Sequence, residues 1–100
     1  MTRRLNLRQE ARSDLASAAA WYEDQRPGLG ADFVAETRQL FRRIVEHPAQ
    51  FRAVSKDVRR GQLKRFPYIV YFGVDAEEVL ILAVIHKRRH PDIWRQRLER

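Results

Sequence analysis

The sequence predicts an α+β fold: an antiparallel αα-hairpin on one face of a small antiparallel β-sheet, with a short strand before it and a short helix at the C-terminus. Three observations predict it. From Gln9 to Glu46 apolar residues recur at helical spacing, broken once by Pro27-Gly28-Leu29-Gly30. From Val58 to Ile85 they are β-branched or aromatic and come in runs of strand length. Helical segments precede strands instead of alternating with them, the order of segregated layers.

Arg3-Arg4-Leu5-Asn6-Leu7 alternates polar and apolar residues, as a strand with one buried face does. The first helix runs from Gln9 to Gln25, with Ala11, Leu15, Ala18 and Tyr22 on one stripe. Pro27 and the glycines stop it, because proline cannot continue the hydrogen-bond ladder and glycine admits backbone angles that other residues avoid. A second helix is expected from Asp32 to Glu46, with Phe33, Thr37, Leu40 and Ile44 inward and Val34, Phe41 and Val45 widening the stripe. His47-Pro48 ends it, and so short a connection makes the two helices pack antiparallel.

Val58 to Arg65 reads as a strand carrying Arg59, Arg60, Lys64 and Arg65, and Pro67 separates it from Tyr68-Ile69-Val70-Tyr71-Phe72. Asp75-Ala76-Glu77-Glu78 forms a hairpin turn into Val79–Ile85. These strands make an antiparallel meander whose second face is expected to be open. Pro91, suited to a first helical position, opens a last helix through Asp92, Trp94 and Leu98.

With 100 residues, 44% of them hydrophobic, the chain supports one core, so residues 1–100 are expected to form one domain. The longest apolar run, Val79 to Ile85, is far short of a membrane span, and the first residues lack an apolar signal core, which makes a cytoplasmic protein the expectation. Cysteine is absent and the histidines are scattered, so disulfides are excluded and neither a metal nor a cofactor is expected. The net charge of +7 is uneven: positions 52–100 hold twelve basic and six acidic residues, against eight and seven in positions 1–51. Such a concentration attracts nucleic acid, an acidic protein surface or an anionic membrane.

Several residues stand at spacings found in one known family. They are Glu10-Ala11, Asp14-Leu15, Ala18 and Trp21-Tyr22-Glu23, then Pro27-Gly28-Leu29-Gly30, Phe33, Ile44, Pro48 and Phe51. The pattern continues in Arg60, Leu63, Arg65-Phe66-Pro67-Tyr68, Val70-Tyr71-Phe72, Ala83-Val84, His86, Arg88-Arg89, Pro91 and Trp94. This set resembles the RelE/ParE toxin superfamily, most closely the ParE-like plasmid stabilisation toxins of type II toxin–antitoxin systems. Relatives often place Ser or Thr before the first helix, whereas Arg8 stands here, and a missing side-chain cap costs about 1 kcal/mol.

The resemblance implies a growth-arresting toxin with a cognate antitoxin, a small protein with a DNA-binding N-terminus and an amphipathic, often acidic tail. RelE-like members cut messenger RNA on the ribosome; ParE-like members act on DNA gyrase. Cleavage by 2′-hydroxyl attack needs a proton acceptor, a cation for the phosphate and a proton donor. His86, Arg65, Arg88 and Arg89 are the candidates for that chemistry. RelE-like enzymes commonly carry an aromatic hydroxyl near the C-terminus, where this chain has Trp94, a side chain that exchanges no proton. Inhibition of gyrase by protein contact is therefore the leading expectation, ribosome-dependent cleavage of mRNA the alternative, and a non-toxic nucleic-acid-binding module a third reading.

The cluster His86-Lys87-Arg88-Arg89-His90 suits phosphate, an acidic protein surface or plain solvation, and those readings stay open. If the meander pairs as drawn, it joins Arg59, Arg60, Lys64 and Arg65 at one sheet edge to form a binding surface for the target or for phosphate. Arg65 is equally suited to pairing with a local carboxylate. Trp21 and Tyr22 lie about 100° apart around a helix, so one ring faces the core and the other its margin. The marginal ring and Trp94 are candidate anchors for the antitoxin.

Overall fold

The computed structural model describes residues 3–89 and 92–98. The elements are β1 (Arg4–Leu7), α1 (Gln9–Gln25), α2 (Leu29–Glu46), a 3-10 turn (Pro48–Gln50), β2 (Arg52–Ala53), β3 (Val58–Gln62), β4 (Tyr68–Val74), β5 (Glu78–His86) and α3 (Ile93–Leu98). This is the expected α+β order. The sheet runs β1-β5-β4-β3-β2. Strands β2 to β5 form the antiparallel meander, while β1 joins it in parallel beside β5, with Leu5 opposite Val79 and Leu7 opposite Ile81. The αα-hairpin thus lies on the long crossover that returns the chain to the same sheet.

Helix α1 begins at Arg8, which makes no side-chain cap; its guanidinium faces Glu10 at 3.8 Å instead. Helix α2 begins at Leu29, three residues before the expected Asp32. The reason is Glu23 of α1, whose carboxylate accepts the Gly28 N–H at 2.9 Å and the Gly30 N–H at 3.0 Å. A side chain from the neighbouring helix meets the open amides, so no local cap is needed. Gly28 takes φ 92°, a left-handed conformation suited to glycine. Gly30 is inside the helix, where a Cβ would stand 2.5 Å from the Ala19 carbonyl oxygen; it lets the two helices touch, and it does not break the chain.

Strand β3 ends at Gln62, short of the expected Arg65. Leu63 N–H closes on the Tyr68 carbonyl at 3.0 Å, and Glu36 of α2 accepts the Lys64 and Arg65 amides at 2.6 and 3.3 Å. A carboxylate from the helical layer therefore pins the β3–β4 connection, and Lys64 and Arg65 lie on that connection, off the strand.

The helices cover one sheet face with a core built on Phe33, Leu40, Phe41, Ile44, Phe72 and Ile81, into which Tyr22, Phe66 and Tyr68 pack. The other face is covered in part, not left open. Val58, Ile69, Tyr71, Leu82, Ala83 and Ile85 pack there beneath Trp94 of α3. Between Tyr71 and Phe72 the β4–β5 register shifts: Tyr71 stands opposite Ala83 and Phe72 opposite Ile81. Leu82 is the extra residue of this bulge, so Leu82 and Ala83 both enter the outer core while Ile81 and Val84 face the helices.

Candidate functional site

Strand β4 begins where β5 ends, and the candidate residues that come together do so at that end of the sheet. Tyr68 pairs with His86 across the two strands, their rings edge-on at 5.4 Å. After His86 the chain turns at once: Arg89 N–H bonds the His86 carbonyl at 2.9 Å, and Arg88 N–H donates to His86 Nδ1 at 3.1 Å. Lys87 N–H reaches the Pro67 carbonyl at 2.8 Å, tying this turn to the start of β4. Lys87, Arg88 and Arg89 are exposed there.

Helix α1 supplies the opposite wall. Ser13, Ser17 and Trp21 follow one another at four-residue spacing, and with Tyr68, His86 and Arg89 they line an open cleft of about 310 Å³. Trp21 is 58% exposed, while Tyr22 beside it turns inward against Phe33 and Phe66. That is the division between core and margin expected of adjacent helical positions. Burial pushes the Tyr68 phenol above its ordinary pKa; Arg89 acts against this and Asp14 reinforces it. The ring therefore stays protonated at neutral pH.

Asp14 closes the base of the cleft. It accepts the Val84 N–H at 3.0 Å and holds Arg97 of α3 through two contacts, Nη1 to Oδ2 at 2.6 Å and Nη2 to Oδ1 at 3.0 Å. Neither Asp14 in this role nor Arg97 at all is visible in the sequence, because no local pattern joins positions 83 residues apart. Tyr68 reads from its neighbours only as a strand residue. The spacing of Ser13, Ser17 and Trp21 is the one signal for the α1 wall that the sequence does carry.

The remaining candidates do not line this cleft. Arg65 and Lys64 line a second groove, about 370 Å³, together with Asp32, Glu36 and Arg43 of α2. There the Arg65 guanidinium stands 3.6 Å from Asp32 and lies over the Phe66 ring. Arg59 donates to the Phe51 carbonyl at 2.6 Å. Arg60, its neighbour on β3, points to the opposite sheet face, because successive strand residues alternate. Trp94 is no surface anchor: it is 4% exposed and stacked on Tyr71 with ring centroids 6.0 Å apart. Removing so buried an indole costs about 3–5 kcal/mol, which marks a core residue. His90 and Pro91 lie outside the described residues.

Comparison with known proteins bears on this arrangement directly. The family model for the "ParE toxin of type II toxin-antitoxin system, parDE" matches residues 5–91. The chain belongs to the ParE toxin family. It is 32% identical over 97 residues to Toxin ParE2 of Mycobacterium tuberculosis, from strains CDC 1551 / Oshkosh and H37Rv, with 92% of this chain and 89% of that protein covered. The chromosomal ParDE toxin–antitoxin system from P. aeruginosa shares its fold, with a TM-score of 0.74 at 20% identity over 85% of this chain and 96% of that one. The family match spans the whole Trp21–His86–Arg89 cleft of this ParE-type toxin; α3 and its Arg97 lie beyond the matched residues.

Proposed function

We propose that this ParE-family toxin acts in the cytoplasm by binding DNA gyrase through protein contact, and that a co-expressed antitoxin neutralises it. One observation carries the choice of contact over catalysis: the residues that the sequence offers for RNA cleavage are divided between two clefts. His86 and Arg89 line one, and Arg65 lines the other beside Asp32 and Glu36. What the first cleft presents instead is an exposed tryptophan next to an exposed arginine, the residue types that dominate binding energy at protein interfaces. The purified toxin is expected to inhibit gyrase supercoiling and to leave translated message intact. Unchanged supercoiling at saturating toxin rules the proposal out.

A second reading, ribosome-dependent endoribonuclease, draws support from the Tyr68 hydroxyl-bearing ring beside the His86 imidazole, with Arg89 at the same cleft. On that reading the protonated Tyr68 serves as proton donor, His86 as acceptor and Arg89 as the phosphate's cation. Expression then yields cut transcripts, and both Tyr68→Phe and His86→Ala remove the cuts.

A further inference from the structure

Open donors crowd the Trp21–His86–Arg89 cleft, and open acceptors are scarce. Asp14 is the one carboxylate of its lining, and both oxygens are taken, Oδ2 by the Val84 N–H and Arg97 Nη1, Oδ1 by Arg97 Nη2. Tyr68 keeps its phenolic proton at neutral pH, because burial raises its pKa by more than the Arg89 charge lowers it. His86 Nδ1 accepts the Arg88 N–H at 3.1 Å, which puts the ring proton on Nε2 and leaves that N–H as the open donor. The Arg89 guanidinium and the Trp21 indole N–H can only donate. Among the described residues none of these four donors has a hydrogen-bond acceptor, and Arg89 has no ion pair. Ser13 and Ser17 add two hydroxyls from α1.

A site of donors selects a ligand of acceptors. We infer that this cleft is a binding site for a nucleoside monophosphate, with the base against the Trp21 indole and the phosphate among Tyr68, His86 and Arg89. The donors come from α1, β4 and the turn after β5, so they approach a bound group from several directions, as the three oxygens of a phosphate monoester require. Trp21, 58% exposed, supplies a flat ring on which any base can stack. The volume of about 310 Å³ lies at the small end of the range of small-molecule sites, about 300–1,000 Å³. This goes beyond both readings above, since neither gyrase contact nor cleavage on the ribosome requires a free nucleotide to bind.

Other occupants fit less well. A carboxylate side chain is planar and offers its oxygens along one edge, which leaves part of this donor set unused. A duplex keeps its bases stacked inside and has none to lay on the indole. A longer single strand would carry further phosphates past Trp21, where the exposed Asp24 lies three residues on along the same side of α1 and repels them. A single nucleotide meets the ring and the donors without reaching that carboxylate.

The full isotope-labelled toxin is titrated with adenosine monophosphate, adenosine, inorganic phosphate, acetyl-glutamate amide and a short oligoadenylate. The monophosphate is expected to shift the amides of Ser17, His86 and Arg89 and the indole N–H of Trp21. It should bind at least about tenfold more tightly than adenosine or phosphate alone, since its second contact becomes intramolecular once the first is made. Arg89→Gln should weaken the monophosphate at least about tenfold and leave adenosine unchanged, whereas Trp21→Ala should weaken both and leave phosphate unchanged. The amide spectra of the free variants report that they are folded. No shift at all, shifts confined to residues outside the cleft, or phosphate or acetyl-glutamate amide binding as tightly as the monophosphate would each overturn the nucleotide site. Oligoadenylate binding more than about tenfold tighter than the monophosphate would overturn it too, in favour of a strand-binding surface. Binding is read on the free toxin, so its outcome is separate from whether gyrase is the target.

Discussion

Arg97 of α3 and Asp14 of α1 together replace the missing neighbour of β5. Strand β1 pairs with β5 only as far as Leu7 opposite Ile81, and its last contact is the Arg8 N–H on the Ile81 carbonyl. Beyond that point the Leu82 carbonyl accepts from Arg97 at 2.9 Å and the Val84 N–H donates to Asp14 at 3.0 Å. The pair thereby meets backbone groups that a longer β1 would otherwise meet.

Because both side chains are only about a tenth exposed, at 11% and 10%, removing one leaves a charge and a strand-edge group without partners. Arg97→Met and Asp14→Leu should each lower stability by about 3–5 kcal/mol, and the two together should cost less than their sum. Urea unfolding of the single and double variants gives the coupling. Arg97→Lys is expected to recover less than half of the loss, since an ammonium cannot bond both carboxylate oxygens and the Leu82 carbonyl in one plane. Single variants that unfold within about 1 kcal/mol of the parent would show the pair to be no stronger than a surface ion pair.

At the helical crossing, Gly30→Ala should destabilise by about 1–3 kcal/mol or more, because the new methyl meets a backbone oxygen and not a flexible side chain. A methyl group on Gly28 would have no atom within 4 Å, so Gly28→Ala should cost only the left-handed conformation, about 1–2 kcal/mol. Gly28→Asn should be milder still. Thermal melts of the three variants should rank in that order.

Asp75 carries the acid response of the β4–β5 turn. Its carboxylate accepts the Glu77 and Glu78 amides at 2.8 and 2.9 Å, and these bonds hold its pKa below the ordinary value of 3.8. A lowered folded-state pKa contributes stability that is fully present above the unfolded value and is lost as pH falls through the folded one. Asp75→Asn should therefore melt below the parent at pH 6 and converge on it as pH falls below 3.8. A constant gap across that window would assign the effect to shape alone.

The paired layers are legible in the sequence because helical and strand periods are local. Three features are not, and each depends on a contact between distant positions. Glu23, Glu36 and Asp14 all direct a carboxylate at backbone amides of another element, which sets the start of α2, the end of β3 and the edge of β5. Trp94 departs from expectation for a different reason. Tyr68–Phe72 and Val79–Ile85 are apolar at successive positions, and a strand that is apolar on both sides has both faces covered. The same reasoning would have put a cover over the second sheet face and the indole beneath it. The dispersal of Arg59, Arg60 and Arg65 follows from strand alternation and from the turn at Leu63, whose position Glu36 decides.

For the target surface, Trp21→Ala and Arg89→Glu are the informative changes, since Trp21 is 58% exposed and Arg89 is exposed beside the same cleft. Each is expected to leave the melting temperature within a degree or two of the parent, as surface substitutions do. Each should also release growth arrest on expression. Arg60→Glu, on the far face of the sheet, should keep it.

The most direct measurement is inhibition of gyrase supercoiling by purified toxin, compared among the parent, Trp21→Ala and Arg89→Glu at equal concentration. The parent should inhibit, and each variant should need at least tenfold more protein, about 1.4 kcal/mol of lost contact energy. Equal inhibition by all three proteins would contradict the assignment of the Trp21–His86–Arg89 cleft, and absence of inhibition by the parent would contradict gyrase as the target.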